Sequence, residues 1–170
     1  MKTLLFLFLL PLGALAQKMT AVEYNDKIIG YQNEIGYKLL AIGEYIGSEE
    51  ITTEEGANAV RLEALEVTRE SIKGLEKMGA FKGDDALRKS ALNLFRFYEK
   101  IIKDQYAQMI DLIYKEDFSE ADSDAISLLV AKITEEEMPL DQKFQTAQIA
   151  FAEKNNIELQ DNPLQEELDK

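Results

Sequence analysis

The stretch that most constrains what this chain can fold into runs over residues 84–114. Set at about 100° per residue, Leu87, Ala91, Leu94, Phe95, Phe97, Tyr98, Ile101, Ile102, Met109, Leu112 and Ile113 fall on one side of a helix. They cover roughly half its circumference, wider than the ~100° stripe of an ordinary surface helix. Several other helices must cover such a face. Residues 84–114 therefore read as the central helix of a small bundle, with Arg96, Lys100, Lys103 and Asp111 on the remaining face.

Three further segments supply the cover. Over residues 20–46, Ala21, Tyr24, Ile28, Tyr31, Ile35, Leu39, Ile42 and Ile46 recur at spacings of three and four. Thr20 with Glu23 forms a capping box, and Gly47 is expected to end the helix as a residue tolerant of positive φ. Gly36 and Gly43, one heptad apart, predict close approach of a neighbouring backbone. Residues 53–78 carry a second stripe through Ala57, Val60, Ala64, Val67, Ser71 and Met78, widened by Leu65, Ile72 and Leu75. A turn bracketed by Gly79 and Gly83, with Phe81 tucked inward, leads to an Asp84 cap.

The last segment, residues 119–155, opens on a Ser119/Asp122 capping box with Phe118 placed as a hydrophobic staple. Its stripe of Ile126, Leu129, Ile133, Leu140, Phe144, Ala147 and Phe151 crosses Pro139 in register. A mid-helix proline removes one backbone bond and clashes with the previous turn, at a cost of ~3 kcal/mol or more. The unbroken register predicts a kink, with a split into two helices as the alternative. The expected fold is all-α: an up-down-up-down four-helix bundle with a kinked fourth helix. Residues 157–170 read as an acidic, flexible tail in which Ile157, Leu159 and Leu164 can dock transiently.

Residues 1–16 have the form of an export signal. Lys2 precedes an apolar run from Leu4 to Leu15, and Ala14-Leu15-Ala16 matches the small-x-small cleavage pattern. The run is shorter than the ~20 residues that span a bilayer, so cleavage before Gln17 is expected rather than anchoring. After that signal, Tyr24-Asn25-Asp26, Ile28 and Gln32 resemble the opening of small exported bacterial surface proteins of uncharacterised function. The resemblance implies a cell-surface or periplasmic address and carries no functional residues.

Composition narrows the chemistry. The chain has no cysteine, so disulfides, thiol nucleophiles and thiolate metal sites are excluded. It has no histidine either, and so lacks the commonest general base and transition-metal ligand. A formal net charge of −13 argues against nucleic acid as a partner. The acids Asp117, Glu120, Asp122 and Asp124 do not match a calcium loop, because Ala125 and Ala131 stand where glycine and a bidentate Glu are needed. No Ser-x-x-Lys spacing, elbow glycines or phosphate-binding loop is present. No catalytic, cofactor or metal residues are therefore assigned.

Two features remain. Lys89, Arg96, Lys100 and Lys103 form a cationic stripe that either meets an acidic partner or pairs with acids such as Glu63, Glu66 and Glu70. Tyr37 lies opposite the stripe of its helix and Ile110 beyond the apolar arc of the central one, so both are expected at the surface. Glu137, by contrast, falls on an apolar stripe as an inward acid beside Pro139. The leading expectation is an exported, non-enzymatic binding or interaction module that meets an envelope protein or small ligand through Tyr37, Arg96, Lys100 and Lys103. The alternative is a small-ligand or metal-binding sensor bundle with a pocket near Pro139.

Overall fold

The computed structural model describes residues 19–48, 50–160 and 164; the stretch expected to be an export signal, its expected cleavage site and most of the acidic tail lie outside them. The described residues fold as an all-α bundle. Its segments are α1 (Ala21–Ile46), α2 (Glu54–Lys77), α3 (Ala86–Lys103), α4 (Gln105–Ile113) and α5 (Glu120–Asn155). α1 packs on α2, α2 on α3, and α3 on α5. Among the described residues no helix is long and apolar enough to cross a membrane.

α1, α2 and α5 start on capping side chains, whereas α3 and α4 have none. Thr20 Oγ1 accepts from the Glu23 N–H at 3.2 Å while Glu23 Oε2 accepts from the Thr20 N–H at 2.7 Å. Ser119 and Asp122 make the same reciprocal pair at the head of α5. Lys115 also donates to Asp122, and with Ser119 it holds that carboxyl at about 2. The acidic turn is thus occupied by its own cap. Phe118 is no staple: it is half exposed, and the N4 position it would pack on is Ser123, polar and exposed.

α3 is the core of the molecule. Leu87, Ala91, Leu92, Leu94, Phe95, Phe97, Tyr98, Ile101 and Ile102 are all buried on it. The expected single central helix is interrupted at Asp104, whose φ of −105° and ψ of −60° depart from the helical values. Beside the break, Arg61 of α2 donates to the Ile102 carbonyl at 3.3 Å. Beyond it, α4 lies against both α2 and α5 and buries more than one face. Ile110, expected at the surface, is therefore fully buried.

The turn between α2 and α3 follows its sequence except at the cap: α3 begins at Ala86 after Asp85, whose side chain makes no cap bond, while the expected cap Asp84 accepts from the Ala86 N–H at 3.1 Å. Gly79 and Gly83 take positive φ, and Phe81 pairs with Asp84 in an isolated antiparallel bridge. Phe81 is buried against Tyr24 and Phe151, with ring centroids 5.3 Å from each. This aromatic trio ties α1, the turn and the end of α5 together. Gly47 ends α1 without a left-handed backbone: its φ is −84°, and its N–H reaches the Gly43 carbonyl at 2.8 Å.

α5 is one helix through Pro139. It closes on Asn156 at φ 52°, with the Ile157 N–H reaching back to the Ala152 carbonyl and the Asn156 N–H to Glu153. Those two bonds make a Schellman motif, and Ile157 packs on the core as the motif requires. Further on, Leu164 is only 6% exposed and rests on Gly36. The neighbour of Gly36 is thus a side chain from the tail. Gly43, expected to meet a backbone, has nothing within 4 Å of where a Cβ would stand.

Close approach occurs instead at Gly56 and Gly74 of α2, which receive the phenols of Tyr45 and Tyr31 from α1. A Cβ at either would overlap the ring. Gly30→Ala and Gly43→Ala, into open space, are expected to stabilise by up to about 1 kcal/mol each. Gly74→Ala is expected to destabilise by about 1–3 kcal/mol as Tyr31 is displaced. Urea denaturation of the three variants checks the signs.

Candidate functional site

The seam between α1 and α5 is pinned near one end and opens further along. At the pinned end Gln148 of α5 donates to Asn25 of α1 at 3.1 Å, next to the Tyr24–Phe81–Phe151 trio. Beyond it lies a cleft of about 530 Å³, within the range that small-molecule sites occupy. α1 contributes one wall through Gly36, Leu39, Leu40, Gly43 and Glu44. Tyr98 of α3 and Tyr106 of α4 stand on another, and Glu137 and Asp141 of α5 on the third. Leu164 closes the end over Gly36.

Sequence spacing explains why these groups meet. Glu137 and Asp141 are four residues apart and so stack on one face of α5, with Cβ atoms roughly 5–6 Å apart. Pro139 lies between them on the far side, and both it and Glu135 are exposed. The carbonyl of Glu135 that the proline leaves without its helical donor thus faces water, not the cleft. Gly43 supplies volume, since no side chain there fills the space beside Glu44.

The polar groups are partly committed to one another. The Tyr98 hydroxyl donates to Glu137 Oε1 at 2.7 Å, and Gln145 Nε2 donates to Asp141 Oδ2 at 2.6 Å. Among the described residues, the second oxygen of each carboxylate makes no hydrogen bond. Burial, reinforced by the Glu137 charge, raises the pKa of the Tyr98 hydroxyl far above that of a free tyrosine. Tyr106 is raised for the same two reasons. Burial also raises Asp141, against the opposing hydrogen bond from Gln145. Among the described residues no Lys or Arg lines the cleft. Among the described residues, no three acidic side chains gather closely enough to hold a metal ion.

The cationic stripe lies elsewhere and is largely paired. Arg96 donates to Glu76 at 2.9 Å, Lys100 to Glu136 at 3.3 Å, and Lys89 meets Asp85 at 3.4 Å. The acids expected to neutralise the stripe serve other cations: Glu63 meets Lys38 and Glu70 meets Lys73. Lys103 is exposed and makes no ion pair among the described residues. Tyr37 is 41% exposed. These four residues do not converge with Glu137 on one site. A second groove, between α1 and α2, mixes Lys27, Lys73 and Lys77 with Glu34 and Glu70 and so has no single charge preference.

Sequence reasoning found Glu137 and the neighbourhood of Pro139 but missed Asp141, Tyr106 and Glu44. The signal for Asp141 was its spacing of four from Glu137. For Tyr106 and Glu44 the sequence held none, since they reach the cleft from other elements. Comparison with protein-family models, with curated proteins and with solved structures finds no match.

Proposed function

We propose that this chain is an exported, non-enzymatic binding protein of a bacterial periplasm or cell surface. It is an up-down-up-down four-helix bundle, kinked at Pro139, that holds a small ligand in the cleft between α1 and α5. The observation that carries this reading is the inward Glu137, clamped by Tyr98 beside unfilled space at Gly43. The short connections between successive packed helices support the alternating topology, and the missing proline N–H supports the kink. The signal-like residues 1–16 support export. A chain without His or Cys supports a binding role. Tyr98, whose proton is held more tightly than usual, is a poor acid near neutral pH. A surface-partner role through Tyr37, Arg96, Lys100 and Lys103 has less support, because Arg96 and Lys100 already have intramolecular acids.

The test uses protein recovered from an envelope fraction, with its N-terminus read by mass spectrometry and expected at Gln17. A thermal-shift screen of small metabolites is run on wild type, on Gly43→Leu, and on Arg96→Glu/Lys100→Glu. Gly43→Leu fills open space on a helix and should leave the fold intact. Compounds that stabilise wild type and the charge-reversed protein but not Gly43→Leu are expected. Hits indifferent to Gly43→Leu, or lost on charge reversal, would transfer the function to the surface.

A further inference from the structure

We infer that the cleft between α1 and α5 takes an organic cation, a ligand with an ammonium head on a short apolar body. The inference rests on reading this cleft as the binding site. Its walls combine two features that together select this chemistry. The first is apolar and aromatic surface: Leu39, Leu40, Tyr98 and Tyr106 line the cleft with carbon of the kind that receives a ligand's skeleton. The second is negative charge without a counter-ion among the described residues, since Glu44, Glu137 and Asp141 line the cleft and no described Lys or Arg does.

Hydrogen bonding sharpens the fit. Each α5 carboxylate has one oxygen fixed from within the protein, Glu137 by Tyr98 and Asp141 by Gln145. Among the described residues each second oxygen is left to accept. An ammonium group has three donors and no acceptor, so one head group can serve both carboxylates across one helical turn. It also relieves the repulsion of two like charges four residues apart. An anion would meet three carboxylates. A neutral ligand would leave the half-buried charges without compensation. A divalent ion needs several oxygens converging on one point, and the described acids do not converge. Burial raises the pKa of Asp141, and a cation seated beside it would favour the charged form.

Isothermal titration calorimetry with phenethylamine, 2-phenylethanol and 3-phenylpropanoate compares one skeleton carrying a cationic, a neutral and an anionic head. The amine is expected to bind wild type and to lose roughly tenfold or more in affinity in Asp141→Asn and in Glu137→Gln. Its binding should vanish in Gly43→Leu. The alcohol should bind at least roughly tenfold more weakly than the amine, and the anion not at all. Both conservative variants keep size and shape, and circular dichroism checks that each remains helical. If the alcohol or anion binds as tightly as the amine, with loss in Gly43→Leu, the cation assignment falls and the cleft stands. An amine indifferent to both Asp141→Asn and Glu137→Gln also overturns the assignment. If none of the three binds, the assignment falls. The metabolite screen then decides the cleft: a hit sensitive to Gly43→Leu keeps it, and its absence removes it too.

Discussion

Replacing Phe95 by Ala is expected to cost about 3–5 kcal/mol, a large part of the ~5–15 kcal/mol that holds a domain of this size together. Phe95 is fully buried on α3, the helix against which α2 and α5 both pack. Truncation there removes ring contacts to more than one neighbour. The backbone of a helix covered on several sides cannot move inward to close the void. Chemical denaturation should show the midpoint falling with little change in slope, because the surface exposed on unfolding is nearly the same. Leu128→Ala is the control. Leu128 is 71% exposed on α5, and its loss should stay within about 0.5 kcal/mol. Equal losses at the two positions would mean that α3 is not the centre of the core.

The second large effect is expected at Phe144. α5 is the longest helix, yet its buried residues are only Asp122, Phe144, Phe151 and Ala152. Ile126, Leu129, Ile133 and Leu140 point inward but are only partly covered. Attachment of the helix therefore depends heavily on two phenylalanines. Phe151 has Tyr24 and Phe81 as ring neighbours, whereas Phe144 sits mid-helix, between the cleft and the pinned end. Phe144→Ala should cost about 3–5 kcal/mol, and the loss should be uneven along the chain. Hydrogen exchange of α5 amides is expected to rise first, as a locally released unit, while α2 and α3 stay protected. Uniform acceleration across all helices would contradict that unevenness.

These expectations follow from periodicity, and periodicity is also where the sequence was most legible. Spacings of three and four located α1, α2, α3 and α5 and most of their inward residues, because amphipathic faces are a local property. Capping boxes at Thr20 and Ser119 were readable for the same reason. What depends on distant neighbours was not. The interruption at Asp104 has no proline or glycine to announce it, and it moved Ile110 from the expected surface into the core. Gly36 and Gly43 looked alike in sequence, but one meets Leu164 and the other meets nothing. The glycines that do permit close packing, Gly56 and Gly74, serve tyrosines some 11 to 43 residues earlier in the chain, Tyr45 and Tyr31. Glu137 was legible as an inward acid from its phase on α5. Its partner Tyr98 was legible only as a core ring, since the hydroxyl that marks the site lies at the end of an otherwise apolar side chain.

The most direct test of the account follows backbone amide shifts while phenethylamine is added to the isotopically labelled protein. Concerted, saturable shifts are expected at Gly36, Gly43, Glu137 and Asp141, from both sides of the cleft at once. Those shifts should be absent when Gly43→Leu is titrated. Shifts that gather instead at Arg96 and Lys100, or shifts in wild type that persist unchanged in Gly43→Leu, would contradict it.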